Sequence, residues 1–141
     1  MARSLREGEE APVLTHVLTR SDLVQYAGAS ADYNPMHTDE VAATEAGQKS
    51  VFGHGMFSAG LLSTAIENWL GVGCLRRYQV RFVKQTWPGE TLATDIRVSA
   101  VRVEEDGRLE VELDCRLAND AGEVKVEGTA MVRPTREWAS A

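Results

Sequence analysis

The spacing of apolar residues changes near residue 74, and the second half of the chain has the pattern of β-strands. Apolar and charged side chains alternate there, most regularly from Leu109 to Leu117. A period of two is typical of a strand with one buried and one hydrated face, so several such segments in succession predict an antiparallel sheet. Strands are expected over 78–84, 92–98, 109–117 and 124–132, separated by turns at 87–90, 104–107 and 119–122.

The first half of the chain has a different pattern, which predicts mainly helices. The expected elements are a strand over 13–18, a helix over about 21–28, and a short helix from Thr38 or Asp39 to about Ala46. The segment Thr19–Asp22 has the capping-box pattern that starts a helix. Residues 1–10 are charged and carry no such signal, so we expect a loosely ordered start.

One long apolar segment, Met56–Leu70, is expected to hold the fold together. Apolar residues cover most of the circumference of a helix drawn over it, which predicts a buried helix. The predicted sheet needs a cover for its apolar face, and this helix is the candidate. We therefore expect a single α+β domain over 1–141, in which an antiparallel sheet wraps around a long central helix.

Composition and charge narrow the classes of partner. The chain has 141 residues, 43% hydrophobic and 26% charged, with a net charge of −6 and no basic stripe. This disfavours nucleic acid and anionic membranes as partners. No apolar run approaches the ~20 residues of a membrane span, and the first residues lack the apolar core of a signal peptide. Cys74 and Cys115 lack metal-ligand spacing, so we expect reduced, buried thiols in a cytoplasmic protein.

The clearest chemical signal is the segment from Ala29 to Asp39. It places Asp32 and His37 five residues apart, with Asn34-Pro35 between them. Asn-Pro favours a turn, which can bring the carboxylate and the imidazole to face one point. Such a pair, converging on one water molecule, can add water to a double bond or remove it.

The same residues also allow a purely structural interpretation. Asp32 can form an Asx turn, Asn34-Pro35 can end a helix, and His37 can cap the next one. Two observations favour chemistry. The segment lies in a connection between helices, where functional residues concentrate. It also holds more polar side chains than one turn requires.

A second signal is Gly55, which precedes the long helix. A glycine there can simply permit close backbone approach. The unpaired N–H groups and positive dipole end of the helix can also hold a carbonyl oxygen on which charge develops. His54 is expected to pack beneath Gly55, with one nitrogen hydrogen-bonded. No metal site is expected, because His37 and Asp39, or His54 alone, offer too few ligands. No cofactor motif occurs.

These motifs resemble those of the MaoC-like dehydratases, the (R)-specific enoyl-CoA hydratase group of the hot-dog superfamily. The similarity covers about residues 19–92. Its motifs are Ala29–Asp39, Gly53-His54-Gly55-Met56, and Tyr78–Phe82 leading into Trp87-Pro88-Gly89-Glu90. The resemblance departs at two points. Ala31 stands where the family commonly has glycine, and Gln85-Thr86 replaces the usual Pro-Val.

The resemblance implies a hot-dog fold and reversible hydration of a trans-2-enoyl thioester to an (R)-3-hydroxyacyl thioester. It implies that Asp32 and His37 are the catalytic pair, and that the backbone N–H of Gly55 polarises the thioester carbonyl. Asn34 would shape the catalytic loop, and Ser63 would be a supporting polar residue. No cofactor or metal is implied.

The implied partner is an acyl thioester of coenzyme A or of an acyl carrier protein. A small basic group could meet its phosphates or acidic surface: Arg76, Arg77, Arg81 and Lys84. The family dimerises, and an open antiparallel sheet has edge strands that pairing would protect. A homodimer is expected, with a heterodimer of related subunits as the alternative.

Two other functions stay open at this stage. The chain could be a non-catalytic acyl-binding subunit of a heterodimeric dehydratase, although such a subunit need not keep both Asp32 and His37. It could also be a hot-dog acyl thioesterase, because the fold alone does not decide the reaction.

Overall fold

The computed structural model describes residues 3–140 of the chain. Its strands are β1 Arg3–Leu5, β2 Thr15–Val17, β3 Leu75–Phe82, β4 Thr91–Val103, β5 Leu109–Asn119, β6 Val124–Val132 and β7 Trp138–Ser140. Its α-helices are α1 Arg20–Ser30, α2 Glu40–Glu45 and α3 Gly55–Leu70. A short 3-10 turn, Pro35–His37, lies between α1 and α2.

Five strands form one sheet in the order β2-β4-β5-β6-β3, with every neighbouring pair antiparallel. The long strands alternate buried and exposed residues as expected: Leu113, Cys115 and Leu117 are buried, whereas Asp114 and Arg116 are exposed. Helix α3 packs against β3, β4, β5 and β6. The α+β architecture is therefore confirmed, with α3 covering the apolar face of the sheet.

The buried side of α3 provides the centre of the hydrophobic core. Its fully or almost fully buried residues are Ala59, Leu62, Ala65, Ile66, Trp69 and Leu70. They join the inward-facing residues of the sheet in one apolar cluster. Burial of this size is the main stabilising contribution to a fold, so the core holds the start of α3 in a fixed place.

The start of the chain forms a strand over Arg3–Leu5, contrary to the expectation of a loosely ordered start. Strand β1 pairs in parallel with β7, which the sequence pattern did not reveal. Leu5 is fully buried, and its burial explains why this charged segment is ordered. Strands of three residues are too short for an alternating pattern to be recognised.

The capping box of α1 is confirmed. The Thr19 hydroxyl accepts a hydrogen bond from the Asp22 N–H at 3.1 Å, and the Asp22 carboxylate accepts one from the Thr19 N–H at 2.8 Å. The helix ends at Ala31, whose φ of 58° is left-handed. This conformation costs a non-glycine residue about 1–2 kcal/mol, so glycine would fit this position with less strain than Ala31. The left-handed residue turns the chain away from α1 and into the segment that holds Asp32.

A buried ion pair fixes the loop between β3 and β4. Lys125 Nζ lies 2.9 Å from Glu90 Oε2 and donates to the Gln85 carbonyl at 2.9 Å. Glu90 also accepts hydrogen bonds from the Asn119 side chain at 2.6 Å and from the Trp87 N–H at 2.7 Å. Burial alone would raise the pKa of Glu90, but these donors together hold it below its ordinary value.

The same loop is tied to the segment before α3. The Gly53 N–H donates to the Thr86 carbonyl at 2.8 Å. A Cβ at Gly53 would lie 2.1 Å from Thr86 Oγ1, so only glycine allows the two backbones to approach this closely without displacing Thr86. Loop 83–90 therefore lies directly beside the start of α3.

Cys74 and Cys115 are free and buried, as expected. Burial raises the pKa of both thiols, that of Cys115 to about 12. Within residues 3–140, none of the helices has the length and apolarity needed to cross a membrane.

Candidate active site

Asp32 and His37 meet at the turn between α1 and α2. The Asn34 side chain accepts a hydrogen bond from the Met36 N–H at 3.1 Å, and Pro35 occupies the first position of the 3-10 turn. The turn reverses the chain, so that His37 Nε2 lies 3.8 Å from Asp32 Oδ2. This geometry is consistent with the prediction from the sequence that the turn brings the carboxylate and the imidazole together.

The two groups of the pair have different surroundings. The His37 side chain is 10% exposed, whereas that of Asp32 is 51% exposed. His37 Nδ1 donates a hydrogen bond to the Phe52 carbonyl at 2.6 Å. A carbonyl only accepts, so Nδ1 carries the proton and Nε2 is the nitrogen left to exchange one. The separation of 3.8 Å is too long for a direct hydrogen bond, but one water can bridge it.

His54 packs against both residues of the Asp32–His37 pair. Its ring stacks on that of His37, with centroids 3.8 Å apart and planes inclined by 26°. Its Nε2 donates to the Asp32 backbone carbonyl at 3.2 Å. Burial lowers the pKa of His54 and so favours the neutral ring, although the hydrogen bond to the Asp32 carbonyl acts in the opposite direction. The expected packing role with one bonded nitrogen matches this arrangement, and the stack on His37 adds a contact that the sequence did not indicate.

The start of α3 forms the opposite wall. His54 is the N-cap residue and gives the helix no side-chain cap. Phe57 and Ser58 are the first residues of α3 whose N–H groups bond to the His54 carbonyl, so the N–H groups of Gly55 and Met56 have no helical acceptor. A Cβ at Gly55 would lie 3.0 Å from the Phe82 ring. Glycine therefore leaves room in front of this helix end.

A cavity of about 280 Å³ opens between these walls. Of the Asp32–His37 pair, His37 lines this cavity and Asp32 does not. The full lining is His37, Phe52, Gly53, Gly55, Ser58, Phe82, Val83, Lys84, Gln85, Thr86 and Val126. The cavity is therefore lined by His37, whose Nε2 can exchange a proton, by the N-terminus of α3 and by apolar side chains. Such a site can activate water beside a carbonyl compound that has an apolar tail.

The other predicted residues take several places. Asn34 shapes the turn but does not line the cavity. Ser63 is bonded within α3 to the Gly60 carbonyl at 3.0 Å, and it is not among the residues that line the cavity. The structure therefore brings Asp32 to His37 and places His37 and Gly55 on one cavity, whereas Asp32, Asn34 and Ser63 are not among the residues that line it.

Of the four basic residues in the predicted group, Lys84 lies at the cavity. It also forms an ion pair with Glu123 at 2.9 Å. Arg81 pairs with Glu127 across the sheet, and Arg76 donates to the Gly73 carbonyl at 2.8 Å. Lys84 is thus the member of this group best placed to meet an anionic end of a ligand.

Three potential metal ligands lie close together: Asp32, His37 and His54 have ligand atoms within 4.8 Å of one another. His37 Nδ1 and His54 Nε2 are both engaged by backbone carbonyls. The two rings are also stacked. The lone pairs of their nitrogens lie in the ring planes, so they point in nearly parallel planes and do not converge on one ion. The geometry fits water activation better than metal binding.

The two lining residues that carry a hydroxyl group, Ser58 and Thr86, were not predicted as site residues. Ser58 has an apolar neighbourhood in the sequence and resembles a core residue. Thr86 lies in a loop and is nevertheless buried. The position of Ser58, three residues after Gly55 and so on the same helix face, is the one signal that could have identified it.

The chain is similar in sequence to a family of known proteins. The family model for the MaoC like domain matches residues 6–120. An (R)-specific enoyl-CoA hydratase from Rhodospirillum rubrum is 32% identical over 130 residues, which cover 91% of this chain and 87% of the relative.

Two solved structures share the whole architecture. An R-hydratase from Pseudomonas aeruginosa superposes with a TM-score of 0.85 and 29% identity, covering 94% of this chain and 84% of that chain. The (R)-hydratase from Aeromonas caviae gives a TM-score of 0.84 and 27% identity, and the match covers 94% of this chain and 99% of that chain. The expected hot-dog fold is thereby confirmed.

Proposed function

This chain belongs to the MaoC-like domain family, and from that premise we propose that it is a hydro-lyase that hydrates trans-2-enoyl thioesters to (R)-3-hydroxyacyl thioesters. The observation that carries the proposal is the 3.8 Å approach of His37 Nε2 to Asp32 Oδ2, beside the open start of α3. Hydratases of this specificity are among its relatives, over nearly the full length of both chains.

The pair is proposed to hold and activate the attacking water. The water donates hydrogen bonds to Asp32 Oδ2 and His37 Nε2, because both atoms are acceptors when His37 is protonated at Nδ1. As the water oxygen bonds to C3 of the enoyl group, the pair takes one of its protons. The π electrons move towards C2 and the carbonyl oxygen.

The second half of the reaction returns a proton. C2 takes one proton from the pair, the carbonyl double bond re-forms, and the net change is the addition of one water molecule. Between the two halves the carbonyl oxygen carries enolate charge. The Gly55 N–H and the positive end of the helix dipole are proposed to stabilise that charge.

The substrate is proposed to enter with its carrier end near Lys84, which is one of the residues that line the cavity. Coenzyme A phosphates and acidic carrier-protein side chains would both be attracted there. The two buried thiols, Cys74 and Cys115, support the proposed cytoplasmic location, where thiols stay reduced.

The active form is proposed to be a homodimer joined through β3. Within residues 3–140, β3 pairs with β6 on one side and leaves its other edge open. Phe82 and Val83, at the end of this edge, are 52% and 41% exposed although both are apolar. Pairing would protect the edge and cover these side chains. We expect sedimentation to give twice the 15.4 kDa chain mass, whereas a monomer mass at micromolar concentration would contradict this assembly.

The hydratase activity is tested by the ultraviolet absorbance of crotonyl-CoA, whose conjugated enoyl group is lost on hydration. We expect the purified protein to remove this absorbance without releasing free thiol. Thiol release at the same rate would identify a thioesterase. The absence of both changes, with crotonyl-CoA and with longer enoyl-CoA substrates, would indicate a non-catalytic acyl-binding subunit.

A further inference from the structure

Ser58 carries a buried hydroxyl group that the proposed mechanism does not use. The residue is 1% exposed, and its Oγ has no hydrogen-bond partner within the described part of the chain. A helical serine usually bonds the carbonyl four residues earlier, which here belongs to His54. Ser58 does not make that bond, and it lines the cavity. A buried hydroxyl without a partner is destabilising, so its presence indicates a partner that arrives with a ligand.

The position of Ser58 on α3 decides which part of a ligand it meets. Side chains of a helix tilt towards its N-terminus, so Ser58 leans over the turn that contains Gly55. Gly55 has no side chain to block that space, and both residues line the same cavity. The Ser58 hydroxyl and the Gly55 N–H therefore face a common volume, bounded on its other side by Phe82.

We infer that the Ser58 hydroxyl donates a second hydrogen bond to the thioester carbonyl oxygen, beside the Gly55 N–H. The inference rests on the proposed function, and it adds a side-chain donor to the helix end. The bond strengthens as enolate charge develops on the oxygen, so its effect falls on the chemical step.

Other hydroxyl groups of α3 have no such role. Ser63 is satisfied by the Gly60 carbonyl inside the helix. Thr64 is exposed, on the far side of α3 from the cavity lining. Thr64→Ala is thus a matched control, because it removes one hydroxyl from the same helix without touching the site.

The first test compares Ser58→Ala with Thr64→Ala and the wild type in crotonyl-CoA hydration. We expect kcat to fall about 10- to 100-fold in Ser58→Ala with little change in KM, on the scale of losing one oxyanion donor. The melting temperature should stay the same or rise, because the variant loses an unpaired buried hydroxyl. Thr64→Ala should match the wild type. An unchanged kcat in Ser58→Ala, or a fall in kcat together with the melting temperature, would overturn the inference.

The second test does not depend on turnover. Butyryl-CoA has the same carbonyl but no double bond, so it binds without reacting. Its ¹³C-labelled carbonyl stretch in the infrared is expected at lower frequency on the wild type than on Ser58→Ala, because a lost donor leaves the C=O bond less polarised. Equal frequencies would refute the bond to Ser58. A wild type that shows the shift but does not hydrate crotonyl-CoA would refute the hydratase function and leave the carbonyl contact standing.

Discussion

Replacing Asp32 by Asn lowers kcat/KM for crotonyl-CoA at least ~100-fold, because the amide cannot accept the proton that the water loses. His37→Ala gives a loss of the same order, since it removes the imidazole nitrogen that lies 3.8 Å from Asp32 Oδ2. The double variant should be little worse than either single variant, because residues that act as a unit are not additive. Initial rates of absorbance loss measure all three effects.

The matched control for these substitutions is Asp120→Asn. Asp120 is an exposed carboxylate in the turn between β5 and β6, far along the chain from the pair. Its replacement should leave the rate unchanged. Far-ultraviolet circular dichroism shows whether each variant is folded. A folded Asp32→Asn or His37→Ala variant with near wild-type activity would remove that residue from the mechanism.

Replacing Glu90 by Gln destabilises the protein by about 3 kcal/mol at neutral pH. The variant leaves the Lys125 ammonium buried with the Gln85 carbonyl but without its carboxylate, and an unpaired buried charge has a cost of this order. Urea denaturation, with a single extrapolation for both proteins, measures the difference in the free energy of unfolding. A loss below 1 kcal/mol would show that the ion pair does not hold the loop.

Glu90 also predicts a pH dependence. Its pKa in the folded protein lies below the ordinary value of 4.5. The carboxylate therefore stabilises the fold above that value, and this contribution disappears as the pH falls through the lower folded-state pKa. The wild type should lose this part of its stability in acid, whereas Glu90→Gln should not. Glu123→Gln serves as the control, because its exposed ion pair with Lys84 should matter much less.

The sheet and its covering helix could be predicted because both follow from periodicity. The alternation from Leu109 to Leu117 and the apolar circumference of Met56–Leu70 are local properties of the chain. Strands β1 and β7 could not be predicted. Each has three residues, and their pairing joins the two ends of the chain, which no local pattern records.

In the candidate site too, features that depend on neighbouring residues could be predicted, and features that depend on tertiary packing could not. Asp32 and His37 are neighbours in sequence across an Asn-Pro turn, so their approach is a local event. The stacking of His54 on His37 depends instead on how α3 lies against that turn. The choice between Ser58 and Ser63 depends on which face of α3 meets the cavity, and an almost wholly apolar helix does not show that face in its sequence.

The most direct test of the account is the configuration of the product formed from crotonyl-CoA in D₂O. We predict (3R)-3-hydroxybutyryl-CoA, in keeping with the proposed (R)-specific hydration. We also predict deuterium at C2 on the same face as the hydroxyl, because the water and the proton donor belong to one pair on one side of the substrate. Chiral chromatography and proton NMR of the hydrolysed product measure both centres. A (3S) product would contradict the proposed (R)-specificity, and deuterium on the opposite face would contradict catalysis by Asp32 and His37 acting together on one side of the substrate.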